Sequence, residues 1–416
     1  VPVSEAIELW LQEQGEDAAL LRLALSAFQG PVLGVAVSGG SDSMALLHLA
    51  AQLAPVLGAT VRAVTVDHAL RAGSASEAAQ VGRVCAGIGI SHDILVWDHG
   101  AVTGNLMDRA RRARYGLIAA WAAGCPVAVA HTADDQAETF LMGLARGAGL
   151  DGLSGMRPQW RQGVTFVRPL LTTSRADLRA YLTRHGIAWI EDPSNDNPRF
   201  TRVQARHTLQ ALAPLGITTG TLAGVVHHLA AAQGALQQAT MAASAIVTET
   251  AGALRIDRAG FAALHPEIAR RLLLTCLSWI NRADYAPRGP ALDLLYAAIV
   301  AERDATLAGC RIRCKTDIHI LREARAVGGA VASAEIWDNR WQMAGPHAPG
   351  LTVQALGPEG LRAIADWRAC GIARAELLVS PAIWHGTTLI SAPLAGFGAD
   401  WTVTLVLPYA KFMLSH

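Results

Sequence analysis

The chain has 416 residues, with 35 Lys and Arg against 34 Asp and Glu and a net charge of +1. That length allows two or three domains and a sizeable buried core. The charge balance excludes a protein that is basic over its whole surface, so any nucleic-acid contact must be local. Mean hydropathy is +0.27. The longest stretch free of Asp, Glu, Lys and Arg lies between Arg206 and Glu249. His227, His228, Gln233, Gln237 and Gln238 interrupt it, so it does not read as a membrane span. An N-terminus carrying Glu5, Glu8, Glu13, Glu16 and Asp17 does not read as a signal peptide. Cys85, Cys125, Cys276, Cys310, Cys314 and Cys370 form no CxxC pair. Cys310 and Cys314 would sit a turn apart on a helix, without a surrounding His or Cys cluster. All six read as reduced thiols of a cytoplasmic protein.

Taken in chain order, the first half alternates strands and helices. Apolar runs at Val32–Val37, Val61–Val66, Ile94–Trp97 and Val127–Ala130 recur at about the spacing of successive βαβ units. Helical patterning fills the gaps, as in Met44–Leu53. The series predicts an α/β domain built on a doubly wound parallel sheet over residues 1–215. Residues 216–325 read as a helical domain. Arg270–Ile280 and Ala291–Ala301 are clear helices there, 222–303 is helical in character, and one strand is expected over Arg311–Leu321. Residues 326–416 read as a small mixed or β-rich domain with short apolar runs broken by Gly and Pro. Its tryptophans, Trp337, Trp341, Trp367, Trp384 and Trp401, are expected in its core. The adjacent His227 and His228 point apart on a helix and make a poor metal pair.

Ligands of a parallel sheet bind beyond the carboxyl ends of its strands. After the first strand comes Ser38-Gly39-Gly40-Ser41-Asp42-Ser43, then a helix. The glycines let the backbone approach an anion. The helix start offers free N–H groups and the positive end of a dipole, and Ser38, Ser41 and Ser43 add hydroxyls. Asp42 would repel a phosphate directly, which implies a Mg²⁺ between the two. A capped Gly-Ser turn is the plain alternative.

After the fourth strand comes His131-Thr132-Ala133-Asp134-Asp135-Gln136-Ala137-Glu138-Thr139. On a helix, Asp134 and Asp135 lie four and three residues before Glu138 and share its face. Such carboxylates hold an ammonium group, a metal or a proton in transit. Acidic residues in the first turn also favour the helix dipole without any function.

The hexapeptide at 38–43 resembles the SGGxDS pyrophosphate loop of the N-type ATP pyrophosphatases. The string at 131–139 resembles the HxxDDQxET signature of tRNA(Ile)-lysidine synthases. Val66-Asp67-His68-Ala69-Leu70-Arg71 is similar to that family's VDHGLR, with Ala69 in place of Gly. Gly104-Asn105-Leu106, with Ala110-Arg111 and Ala113-Arg114-Tyr115, is similar to its GN-x-AR-x-ARY segment. Arg146–Leu150 resembles RGSGL, Arg168–Leu171 resembles RPLL, and Trp189–Asn195 resembles WIEDPSN. The family's RNRVR is here Arg202-Val203-Gln204-Ala205-Arg206, which keeps both outer arginines and lacks the Asn. The resemblance covers about residues 30–210 and rests beyond them on domain layout alone.

The resemblance implies a ligase that uses ATP, with Mg²⁺, to adenylate C2 of the wobble cytidine in a CAU-anticodon tRNA(Ile). Oxide is a poor leaving group, and the AMP ester replaces it. The amine of free L-lysine then attacks C2 and AMP leaves. Carried over to this sequence, Ser38, Gly39, Gly40, Ser41, Asp42 and Ser43 hold the β,γ-phosphates, with Asp42 also on Mg²⁺. Val66 and Asp67, in the turn running to His68, contact adenine or ribose. Asp135 and Glu138 position lysine or the adenylated base, and one accepts a proton. His131 and Arg111 stabilise the α-phosphate. Asp134, Arg114, Arg202 and Arg206 contact tRNA or lysine. Arg109, Arg112 and Arg199 add to two basic clusters for the anticodon stem-loop. The expected location is the cytoplasm, and a homodimer is compatible with the sequence. Two competing readings are a tRNA 2-thiolase of the same superfamily, disfavoured by the missing CxxC, and a non-enzymatic adenine-nucleotide-binding module.

Overall fold

The computed structural model describes residues 5–70, 73–100, 106–191, 201–283, 287 and 289–414. The chain separates into two compact units, Val1–Gln233 and Gly234–His416.

The first unit opens with helices α1 (Glu5–Glu13) and α2 (Ala18–Leu25). The alternation β1 (Val32–Ala36), α3 (Ser41–Leu57), β2 (Thr60–Asp67), α4 (Ser74–Gly87), β3 (Ser91–Val96), α5 (Leu106–Trp121) and β4 (Val127–Ala128) follows. After these come α6 (Ala133–Leu144), α7 (Leu150–Leu153), β5 (Gln159–Gln162), β6 (Val164–Val167), α8 (Arg175–Arg184), α9 (Thr201–Leu212) and the first part of α10 (Thr219–Ala243). The six-stranded sheet has the order β3-β2-β1-β4-β6-β5. Every pairing is parallel except β5 with β6. Helices cover both faces because the central strands are apolar on both sides. Leu33 and Val35 of β1 are fully buried. At Gly34, between them, a Cβ would meet the Trp121 ring at 2.9 Å, so only glycine lets α5 lie this close to the sheet. The expected strands are all present. The additional pair β5 and β6, not anticipated from the sequence, carries the sheet one parallel strand past β4.

The second unit places a five-stranded antiparallel sheet against helices. Its elements are β7 (Val247–Thr250), β8 (Ala253–Ile256), α11 (Arg258–Ala262), α12 (Pro266–Asn281), α13 (Gly289–Val300), β9 (Ala305–Leu307), β10 (Cys310–Cys314) and β11 (Ile318–Arg322). The strand order is β7-β8-β11-β10-β9. The expected helices are found as α12 and α13, but two expectations need correction. The helical stretch 222–303 is broken by the β7–β8 hairpin, whose turn residues Ala251 and Gly252 both have positive φ, 49° and 77°. That left-handed pair matches the twist of the flanking strands. The single strand expected over Arg311–Leu321 is the hairpin β10–β11, and Cys310 and Cys314 lie on a strand rather than a helix. The remainder comprises β12 (Val331–Ala332), β13 (Trp341–Ala344), β14 (Leu351–Ala355), α14 (Gly357–Ala363), α15 (Arg374–Leu377), β15 (Pro381–His385), β16 (Thr388–Ser391), β17 (Thr402–Leu405) and α16 (Tyr409–Leu414). Trp337, Trp341, Trp384 and Trp401 are buried, as expected of core residues, and Trp367 is partly so. Phe412 and Met413 pack into the same core as α12. Among the described residues, no single helix is long and apolar enough to cross a membrane.

Candidate functional site

At the carboxyl ends of β1, β2 and β4 lies a cavity of about 410 Å³. The loop after β1 forms one wall. Gly39 has φ +88° and Ile190 against its Cα, so a Cβ there would meet Ile190 Cδ1 at 2.7 Å. The Ile190 N–H donates to the Gly39 carbonyl at 2.8 Å, which ties the Trp189–Glu191 segment to the loop. Ser43 Oγ donates to the Gly40 carbonyl at 3.0 Å and accepts the Ser38 N–H at 3.1 Å. The loop is therefore tied to the first turn of α3. The first N–H groups of α3 have no acceptor within the helix, an arrangement suited to an anion. Ser38, Gly40, Ser41, Asp42 and Ser43 all line the cavity, and Gly39 supports it from behind.

The opposite wall is the start of α6. Thr132 caps this helix through a box in which its N–H donates to Asp135 Oδ2 at 2.9 Å, and the Asp135 N–H returns to Thr132 Oγ1 at 3.4 Å. The cap occupies one Asp135 oxygen. The other, Oδ1, lies 3.7 Å from Arg175 Nη2 and 3.8 Å from Arg202 Nη1. Burial alone would raise the Asp135 pKa, but His131, the Thr132 N–H, Arg175 and Arg202 outweigh it and hold the carboxyl below its ordinary range. Glu138, one turn on, is buried behind this wall rather than lining the cavity, and accepts from Arg206 Nη2 at 2.9 Å. Burial nevertheless keeps its pKa raised, with the Asp135 charge adding to the effect.

Arg175 was not anticipated from the sequence, and it links the two walls. Its Nε donates to Asp42 Oδ2 at 3.0 Å, while Nη1 stands 3.7 Å from Glu138 and Nη2 faces Asp135. Three carboxylates thus converge on one guanidinium. The Asp42 pKa is raised by burial and by Asp135, although Arg175 opposes this. One signal in the sequence pointed to Arg175: Ser174 and Asp177 have the spacing of a capping box, which predicts a helix start at 175.

The other expected residues divide. His131, Val66, Arg114 and Arg206 line the cavity. Asp67 does not, and builds the turn instead. Its Oδ1 accepts the Ala69 N–H at 2.8 Å, with the Ser74 hydroxyl chiefly lowering its pKa. Ala69, which stands where the resembled motif has Gly, has φ +52°. Asp134 also lies off the cavity and accepts the Arg175 backbone N–H at 2.6 Å, joining the starts of α6 and α8. Arg111 is exposed, over the Tyr115 ring at 5.5 Å, and Arg114 is the guanidinium of that helix that reaches the cavity. Arg202 is exposed but within reach of Asp135. His68 lines the cavity with a buried Nδ1 that lacks a partner among the described residues. Arg71, Gly104, Asn105, Asp192–Asn195 and Arg199 lie outside the described residues. None of the six cysteines, all described, lines the cavity, and burial pushes the Cys85 thiol up to about 11.

A parallel sheet with a Ser-Gly-Gly loop at its ligand edge, facing acidic residues at the next helix start, defines a class of nucleotide-using domain. The profile of the family described as the PP-loop domain matches residues 16–213, and the domain uses ATP. The tRNA(Ile)-lysidine synthase of Ruegeria pomeroyi is 45% identical over 406 residues, covering 95% of this chain and 97% of that protein. Those of Hyphomonas neptunium and Wolbachia pipientis are 41% and 36% identical, covering 73% and 76% of this chain and 84% and 77% of their own. The chain belongs to the tRNA(Ile)-lysidine synthase family. A solved U34-tRNA thiolase of Methanococcus maripaludis aligns with 51% of this chain and 78% of its own at 15% identity, with a TM-score of 0.44.

Proposed function

We propose that this cavity joins ATP, the wobble cytidine of a CAU-anticodon tRNA(Ile) and free lysine, making the protein a C–N bond-forming ligase that produces lysidine. The observation that carries this is the convergence of Asp42, Asp135 and Glu138 on Arg175, beside the serine-glycine loop. It sets anion-binding groups and cation-binding groups within one cavity, as a triphosphate and an ammonium substrate require.

In this reading the nest of Ser38–Ser43 binds the β,γ-phosphates, and Val66 with the Asp67 turn lies under adenine and ribose. Asp42 and the Ser41 hydroxyl, 3.0 Å apart, are hard oxygen donors of the kind Mg²⁺ takes alongside phosphate. Bound there, Mg²⁺ neutralises phosphate charge. The cytidine O2 displaces pyrophosphate from the α-phosphorus. The lysine amine then bonds to C2 and AMP leaves. Arg114 and His131 face the α-phosphate side of the cavity and stabilise charge as it develops. Glu138 and Asp135 receive the ammonium of lysine. The raised pKa of Glu138 makes it the better acceptor for the proton that the amine loses. Arg202 and Arg206 carry the tRNA backbone. Arg111, displaced from the α-phosphate role, joins Arg109 and Arg112 on the exposed side of α5 for the same purpose. The three-part division at 215/216 and 325/326 and a cytoplasmic location go with this reading.

Labelled lysine attachment by Glu138→Gln tests it. The expected result is roughly a 100-fold loss with ATP binding retained, and unchanged turnover would contradict it.

A further inference from the structure

His131 lines the cavity, and its Nδ1 lies 3.1 Å from Arg168 Nε. Arg168 follows β6 directly and is 7% exposed. Its guanidinium is held from two further directions. It lies over the Trp160 ring at 3.7 Å, and Nη1 donates to the Arg157 carbonyl at 2.6 Å. Its own N–H donates to the Pro158 carbonyl at 2.7 Å. The side chain therefore has little freedom to turn away from the ring.

A guanidinium has five donors and no acceptor. The His131 Nδ1 must therefore accept, which places the ring proton on Nε2. An imidazolium would set one N–H against another. We propose that Arg168 is a positioning residue that locks His131 as the neutral Nε2–H tautomer, making it a fixed hydrogen-bond donor in the cavity rather than a cation or a proton shuttle. Nε2 has no hydrogen-bond partner among the described residues, so its N–H is available to a ligand oxygen. The charged groups facing the ring agree with this assignment. Asp135 favours the imidazolium, but burial together with Arg168, Arg114 and Arg202 outweighs it and pushes the His131 pKa down to about 3. Burial also lowers the Arg168 pKa to about 10, which still leaves it charged at neutral pH.

The inference rests on the proposed reaction only for what the donor acts upon; the tautomer itself is a property of the free protein. It is tested by nitrogen-15 spectra of histidine side chains in the full-length protein, with His131 assigned from the signal lost in His131→Asn. The expected spectrum has an unprotonated Nδ1 and a protonated Nε2, both unchanged from about pH 5 to 8. A protonated Nδ1, or an imidazolium within that range, would overturn the proposal. Arg168→Lys retains a donor and should keep the tautomer. Arg168→Met removes it and should mix the tautomers, with lysine attachment down about 10- to 100-fold and a new acid limb in its pH profile. A Met variant with the wild-type ring spectrum would also overturn it. A locked tautomer in a protein whose His131→Asn variant remains fully active would uphold the inference and count against the reading of the site.

Discussion

Two helices of the first unit begin with the same device. Thr132-Ala133-Asp134-Asp135 opens α6 and Ser174-Arg175-Ala176-Asp177 opens α8, each with a reciprocal capping box between its first and fourth residues. At α8 the box is exposed, and among the described residues the Asp177 carboxylate binds only the Ser174 N–H and hydroxyl. At α6 the box is buried, and Asp135 has a second oxygen directed at two guanidinium groups. The motif specifies a helix start in both places. What separates a cap from a site is burial and the partner of the spare oxygen. The two starts are also joined, since Asp134 of one accepts the backbone N–H of Arg175 in the other.

The largest expected effect follows from removing that link's charge. Arg175→Met leaves Asp42, Asp135 and Glu138 facing one another without their shared cation, and should cost about 3 kcal/mol in urea unfolding. A loss below about 1 kcal/mol would mean that the carboxylates are neutralised by other means. The matched pair Asp135→Asn and Asp177→Asn tests the comparison itself. The first should lower lysine attachment about 100-fold. The second should leave activity unchanged and cost about 0.3–1 kcal/mol from the helix dipole. Equal effects on activity would erase the distinction. The pH dependence should differ too. Asp135 has a lowered pKa in the folded protein, so its contribution to stability is present above the ordinary aspartate range and is lost as pH falls through the folded value. Wild type and Asp135→Asn should therefore converge in stability toward low pH, and curves that stay parallel would contradict this assignment. The smallest effect concerns a turn carboxylate, Asp67, which holds Ala69 in a left-handed conformation. Ala69→Gly should relieve about 0.5–1 kcal/mol of strain, less the added chain entropy of glycine. A destabilised variant would show that the turn is not strained.

Much of this site was legible in the sequence because its loops are built from residues with narrow conformational reasons to be there. Gly39 is required by its φ, and Thr132 with Asp135 by the cap. The series of apolar runs located the strand ends after which these residues fall. Arg168 was legible only as the start of the Arg168–Leu171 motif, without a role, and Arg175 was missed. The strand Val164–Val167 holds three apolar residues interrupted by Thr165, and both arginines follow its end. Arg111 and Arg114 sit on one helix in similar sequence surroundings and both lie over the Tyr115 ring, yet of the two it is Arg114 that lines the cavity. In the second unit, the alanine-rich run before Val247 masked a hairpin at 247–256 whose register depends on two left-handed turn residues. Cross-strand pairing of that kind leaves little trace in local sequence.

The most direct test of the central claim is ATP-dependent incorporation of radiolabelled lysine into unmodified CAU-anticodon transcripts of the isoleucine and methionine types. The account predicts incorporation into the isoleucine type alone, with AMP and pyrophosphate released. No incorporation into either, with pyrophosphate still released on another acceptor, would contradict the assigned substrate while leaving the nucleotide site in place.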